Sequence, residues 1–143
     1  MNSKEWLVTF EKHPLFSVLQ DSFITNEKLV LKENKGSFLN VLLASMQAKN
    51  AICQLIIAND KEDAAYIYND IQNLLGETKA LYYPSSSTQP YQASRTQNAN
   101  IVQRAEVLSE LNNNKKKLII SYPEALHEKN NHKKRTLKKQ SHH

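Results

Sequence analysis

The segment from Lys32 to Phe38 has the residue types closest to a phosphate-binding turn, because it joins two apolar runs and contains a glycine. Glycine-rich turns between a strand and a helix bind phosphate through backbone N–H groups at the helix N-terminus. In the motif G-x-x-x-x-G-K-[ST], the lysine neutralises the outer phosphates and the hydroxyl binds Mg²⁺. Gly36 matches the second glycine, but Leu31, Ser37 and Phe38 occupy the positions of the first glycine, the lysine and the hydroxyl.

The sequence therefore predicts a degenerate phosphate loop at Asn34, Lys35, Gly36 and Ser37, and we expect no bound cofactor. Glu33 adds a negative charge that would repel phosphate. A purely structural turn is the favoured interpretation. Contact of Lys35 or Ser37 with an anion remains the alternative.

No other motif predicts catalysis, since the chain contains neither H-E-x-x-H nor G-x-S-x-G. Cys53 is the only cysteine and lies in an apolar run, so we interpret it as a small buried hydrophobe. Asp60 follows the same run and is expected to cap a helix, with weak metal binding as the alternative. We expect His13 and His127 to be exposed. The sequence thus predicts no catalytic residue and no metal site, and we do not expect this segment to be an enzyme.

Aromatic and basic residues raise the alternative of nucleic-acid binding. Tyr82, Tyr83 and Tyr91 could stack on bases, but a tyrosine in the β-friendly run at 82–83 is expected to face the core. Residues 115–143 carry a net charge of +7, against −2 for residues 1–114, so the basicity belongs to the C-terminal part. Such a run is typical of a solvated tail or of a phosphate-binding one. The candidate nucleic-acid contacts are Lys115, Lys116, Lys117, Lys133, Lys134, Arg135, Lys138 and Lys139.

Apolar periodicity predicts the elements that must position these residues. Two short helices precede residue 26, the second beginning at Pro14. Four strands are expected, at 28–32, 52–58, 80–83 and 118–121. The nearly continuous apolar run at 52–58 predicts a parallel strand covered on both faces. Helices are expected at 38–46, at 61–75 between Asp60 and Gly76, at 98–112 after a long polar loop, and from Pro123 to His127.

Strands that alternate with helices indicate βαβ units and a mostly parallel sheet. No run approaches the roughly 20 apolar residues of a membrane span, and the N-terminus lacks a signal peptide's apolar stretch. We therefore expect a cytoplasmic protein without a membrane partner. His142 and His143 are left out of functional reasoning, because a terminal His pair is also what a purification tag leaves behind.

Between residues 29 and 128 the sequence resembles the N-terminal segment of the bacterial transcription-repair coupling factors, Mfd, in their Bacteroidetes-type form. Their N-terminal module resembles the excision-repair protein UvrB. Besides the Gly36-Ser37 turn, the resemblance rests on an ordered series of segments at 55–66, 83–84, 90–91, 98–100, 104–108 and 122–126. It implies a three-layer RecA-like fold, similar to P-loop NTPases, that has lost ATP hydrolysis.

The resemblance also implies a domain plan and a role. An N-terminal helical segment would occupy 1–26, a degenerate RecA-like domain 27–128, and a basic tail 129–143. The implied role is a noncatalytic scaffold within the UvrB-like module, which helps to recruit excision repair to stalled RNA polymerase and restrains the motor. In the family, UvrA is bound by a domain that follows this segment, RNA polymerase by another later domain, and ATP-driven translocation on DNA belongs to the later helicase domains.

Two departures from the family limit what the resemblance implies. Residues 84–97 are too few for the damage-probing hairpin of UvrB, so we do not expect this chain to recognise DNA damage as UvrB does. The chain is also several times shorter than family members, and we expect it to be a segment that contacts the remaining domains and that self-associates. A nonspecific nucleic-acid-binding module and a weak ATPase are the alternative functions.

Overall fold

The computed structural model describes residues 2–26, 28–32, 36–50, 52–77, 79–86 and 94–128, without the side chains of residues 94 and 95. Within these ranges there are six helices and three strands. In chain order they are α1 Ser3–Glu11, α2 Pro14–Thr25, α3 Phe38–Asn50, β1 Gln54–Ile57, α4 Lys61–Leu75, β2 Ala80–Tyr82, α5 Ser94–Asn112, β3 Leu118–Ser121 and α6 Pro123–His127. The expected α/β class is confirmed.

Local sequence signals account for several helix ends. Pro14 is the first residue of α2, as predicted, and its fixed φ and missing N–H suit that position. The Asp60 side chain caps α4 by accepting a hydrogen bond from the backbone N–H of Asp63 at 2.8 Å. Gly76 ends α4 at a φ of 91°, a conformation that favours glycine.

The sheet is parallel, and its last strand in sequence lies in the middle. The strand order is β1-β3-β2, with Leu55 opposite Ile119 and Leu81 opposite the same residue from the other side. All four residues of β3 are buried. Because successive side chains of a strand point to opposite faces, both faces of β3 are covered.

The main core lies around this central strand. Leu118 and Ile120 of β3 are fully buried, as is Ile71 of α4. Tyr68 of α4 stacks on Tyr82 with ring centroids 5.3 Å apart, so α4 covers the face to which Tyr82 and Ile120 belong. Packing of a parallel strand between helices explains why the run 118–120 is continuously apolar.

A second apolar cluster joins the N-terminal helices to α3. Phe16 and Leu42 are fully buried in it, Phe10 packs edge-on against Phe16, and Leu31 lies half-buried beside them. The predicted strand at 28–32 is wrong, because these residues have no strand conformation in the structure. Leu31 instead packs its side chain against this cluster, and the sheet has three strands among the described residues instead of four.

Two expectations for the first strand are also wrong. Residues 52–58 were expected to be covered on both faces, but Leu55 and Ile57 are 55% and 57% exposed. Cys53, expected to be buried, is exposed. Both differences have one reason: among the described residues β1 is an edge strand, and none of their helices covers the side-chain face shared by residues 53, 55 and 57.

A polar contact locks α3 against the start of the sheet. The Gln47 side chain, 2% exposed, donates to the carbonyl of Lys116 at 3.2 Å and accepts from the Gln54 side chain at 2.8 Å. This buried amide thereby joins α3 to β1 and to the residues that lead into β3.

Among the described residues, no helix combines the length and apolar character needed to cross a bilayer.

The burial contrast between β3 and β1 predicts unequal costs of truncation. We expect Ile120→Ala to lower the free energy of unfolding by about 3 kcal/mol, since it leaves a cavity at a fully buried position. Ile57→Ala, at a site that is 57% exposed, should cost about 0.5 kcal/mol or less. Urea denaturation measures both, and equal costs would contradict the placement of β3 at the centre.

Candidate ligand-binding end of the sheet

The carboxyl ends of parallel strands are where α/β proteins bind ligands. At this end, β2 leads into Tyr83, Pro84, Ser85 and Ser86, and β3 leads into Tyr122 and α6. The end is therefore the candidate functional site. Its polar groups come from loops after two strands and from one face of α5.

A buried arginine lies at the centre of the site. Arg104 of α5 is 5% exposed, and its Nη1 donates to the carbonyl oxygens of Pro84 at 2.8 Å and Ala125 at 3.1 Å. Its guanidinium lies over the Tyr83 ring, 4.2 Å from the centroid. A buried cation needs a compensating anion, and Glu128 supplies it with a carboxylate oxygen 3.4 Å from Nη1.

The Glu128 carboxylate is itself held by the loop after β2. It accepts hydrogen bonds from the backbone N–H of Ser86 at 2.8 Å, from the Ser86 hydroxyl, and from the Ser85 hydroxyl at 3.2 Å. Burial alone would raise the pKa of Glu128, but the Ser86 hydrogen bonds and the Arg104 charge lower it below the ordinary 4.5. Glu128 is therefore an ionised structural anion at neutral pH.

Three further hydrogen bonds complete the closure of this end. The Tyr122 hydroxyl accepts from the backbone N–H of Ser85 at 2.8 Å, and the Asn100 side chain donates to the Ser85 carbonyl at 2.9 Å. The fully buried Ser121 hydroxyl donates to the Tyr83 carbonyl at 2.8 Å. The donors and acceptors at the ends of β2 and β3 are thus engaged with one another.

The end of β1 is similarly occupied by a helix cap. Asp63 accepts hydrogen bonds from both the backbone and the side chain of Asn59, while Asp60 caps α4. The expected capping role of Asp60 is confirmed. In the part of the chain that the structure describes, no three His, Cys, Asp or Glu residues are grouped as metal ligands.

The structure separates the predicted phosphate loop from the end of the sheet. Gly36, at a φ of 61°, and Ser37 form a turn before α3, and the described residues that precede them, 2–26 and 28–32, contain no strand. Phe38 is half-buried, with its ring 5.7 Å from that of Phe10. The position of the magnesium-binding hydroxyl thus holds a core aromatic. Asn34 and Lys35 lie outside the described residues.

The candidate nucleic-acid residues are only partly described. Lys115 and Lys117 both pair with Glu110, at 3.2 and 3.7 Å, and Lys116 is exposed. These lysines precede β3, at the opposite end of the strand from Arg104 and Glu128. Lys133, Lys134, Arg135, Lys138 and Lys139 lie outside the described residues, as does Tyr91.

Other predicted positions have clear outcomes. Tyr83 is 8% exposed and Tyr82 is half-buried, so the expected core packing of the β2 tyrosines is confirmed. His13 and His127 are exposed, as expected. Sequence reasoning missed Arg104, although a cation at helical spacing from Ile101 and Leu108 is the signal of a buried, paired charge.

Comparisons with models of protein families, with curated proteins and with solved structures found no match to this chain.

The lowered pKa of Glu128 predicts how stability depends on pH. A carboxyl whose pKa is lower in the folded state stabilises the protein above its unfolded pKa, and that stabilisation is lost as pH falls through the folded value. We expect Glu128→Gln to lower the unfolding free energy by about 2 kcal/mol at pH 7, because charge-assisted hydrogen bonds are lost. The variant should also lose less stability than the unmodified chain between about pH 5 and 3.

Chemical denaturation across this pH range measures both effects. Glu124→Gln is the matched control, since Glu124 is an exposed acid of α6, the short helix that Glu128 follows, and we expect a change of about 0.5 kcal/mol or less. Equal effects of the two substitutions would show that Glu128 does not stabilise the end of the sheet.

Proposed function

We propose that this chain is a noncatalytic scaffold domain, of the kind that forms the first part of the UvrB-like module in bacterial transcription-repair coupling factors. Its fold would be a RecA-like domain, reduced here to three parallel strands in the described residues. The domain would help to hold the module that recruits excision repair to stalled RNA polymerase and restrains the motor.

The observation that supports the noncatalytic part is the pairing of Arg104 with Glu128 at the carboxyl end of the sheet. An arginine at this end of an α/β domain is suited to bind phosphate. Here the Arg104 charge is already compensated within the chain, at 5% exposure, and its guanidinium lies over the Tyr83 ring. Ligand phosphate would have to displace an ionised carboxylate that three hydrogen bonds from Ser85 and Ser86 also hold.

The scaffold part is supported by exposed apolar residues on the two N-terminal helices. Trp6 and Val8 of α1 are 55% and 49% exposed, and Leu15 and Val18 of α2 are 57% and 59% exposed. Leu15 and Val18 are three residues apart and share one face of α2, and an exposed apolar helix face is suited to contact another protein. We propose that these helices contact the remainder of the UvrB-like module.

The noncatalytic proposal predicts that the chain does not bind Mg-ATP at micromolar concentration. The lysine and hydroxyl positions hold Ser37 and Phe38, and Phe38 packs in the core, so neither phosphate nor Mg²⁺ has its usual ligand. Calorimetric titration is the measurement. Saturable heat that disappears in Gly36→Asp would contradict the proposal. The added side chain meets no atom within 4 Å, but the φ of 61° disfavours any residue other than glycine, so the melting temperature of the variant is measured as the control for folding.

The scaffold proposal predicts binding to the UvrB-like segment that follows this one in the coupling factors. At a concentration about 100 times Kd, that segment should raise the melting temperature of this chain by roughly 5–10 °C. Trp6→Glu should abolish the rise, because it places a charge in the apolar contact. Tyr66→Glu is the control, since Tyr66 is 63% exposed on α4. An unchanged melting temperature with the unmodified chain would contradict the proposal.

A further inference from the structure

The outer edge of β1 has free backbone groups. On its inner side, the N–H of Gln54 donates to the Lys117 carbonyl at 3.1 Å, and the N–H of Ala58 donates to the Ser121 carbonyl at 2.8 Å. Successive residues of a strand turn their backbone groups to alternate sides, so Leu55 and Ile57 direct theirs away from β3. No described residue forms a hydrogen bond with these outward groups.

The same strand also has an exposed apolar side-chain face. Leu55 and Ile57 are more than half exposed. Cys53 lies two residues before Leu55, so it belongs to the same side-chain face, and it is also exposed. The stretch 52–58 contains no charged residue and no proline. Natural edge strands are usually protected by such residues, and β1 lacks them.

The other edge of the sheet differs in each of these respects. β2 is three residues long, is preceded by Lys79, and is followed one residue later by the buried Pro84. A short strand bounded by lysine and proline is a poor template for pairing with another chain. Of the two edges among the described residues, β1 is therefore the one suited to add a strand.

We propose that the outer edge of β1 pairs in antiparallel fashion with β1 of a second copy of this chain, around a two-fold axis at Leu55. The two three-stranded sheets then form one continuous sheet of six strands. This inference does not depend on the proposed function, because it rests only on the edge and face of β1.

Hydrogen-bond geometry selects the axis at Leu55. In an antiparallel pair, residues that exchange both N–H and C=O bonds recur at every second position. With Leu55 opposite the partner's Leu55, Cys53 lies opposite the partner's Ile57. The backbone groups of residues 53, 55 and 57, which face outward in each copy, then all form hydrogen bonds. This register forms about six backbone hydrogen bonds. If the register between the two strands is shifted by two residues, one of the three residues has no hydrogen-bonding residue opposite it.

Side-chain chemistry agrees with a second copy as the occupant. Cys53, Leu55 and Ile57 of both copies would form one uncharged apolar strip across the junction. The edge is therefore complementary to itself in backbone pattern and in apolarity.

Sedimentation velocity over a concentration series tests the association. We expect the weight-average mass to rise from 16.4 kDa toward twice that value. Leu55→Lys should hold the chain as a monomer, because it places two lysines on the axis. Its melting temperature at low concentration should stay unchanged, since the side chain is 55% exposed. Tyr66→Lys, at an exposed position of α4, should still dimerise. A monomer throughout, or a dimer that Leu55→Lys leaves intact, would overturn the proposal.

Disulfide trapping tests the register. Opposite residues at the axis have Cα atoms about 5.5 Å apart, within disulfide range. Leu55→Cys in a Cys53→Ser background should therefore form a covalent dimer on mild oxidation. Ile57→Cys should be trapped through the native Cys53.

The unmodified chain should not be trapped in this way, because the two Cys53 residues would be four positions apart, about 13 Å. Val102→Cys in the Cys53→Ser background is the control, since Val102 is 65% exposed on α5. Trapping of that control alone, or of neither β1 variant, would overturn the register.

Discussion

Strand β3 is the element on which the rest of the structure depends. β1 and β2 each pair only with β3 among the described residues, so neither has a sheet partner until residues 118–121 are in place. The pairing with β1 spans about sixty residues of chain, a costly loop to close. Burial of both faces of β3 offsets this cost, since each buried aliphatic side chain contributes about 1.5–3 kcal/mol.

The insertion of β3 between the other strands also determines what happens at the carboxyl end. It brings α6 and Glu128 next to the loop after β2, where Arg104 of α5 is already buried. A cation with so little solvent exposure requires an anion, and a carboxylate requires donors. The two serines after β2 supply these donors, so three separate segments, α5, the loop after β2 and α6 with Glu128, meet in one charge-compensated network.

The carboxyl end of the sheet is closed by hydrogen bonds within the chain, whereas apolar side chains are exposed elsewhere. The polar groups at the ends of β2 and β3 are paired with each other, whereas apolar side chains remain open on α1, on α2 and on the outer face of β1. Paired polar groups at this end and open apolar side chains elsewhere are the features on which the proposed scaffold role rests. The three strands of the described residues bury a limited core. Contacts with another protein surface would therefore add stability that the sheet alone does not supply.

The sequence by itself determined the local elements: α4 between Asp60 and Gly76, α2 from Pro14, and the apolar run that became β3. These follow from caps, fixed φ angles and periodicity, which act within a few residues. Only the tertiary structure decided that 28–32 is not a strand, that β1 is an edge with Cys53 exposed, and that Arg104 meets Glu128. Strand order and charge pairing join residues far apart in the chain, so no local pattern specifies them.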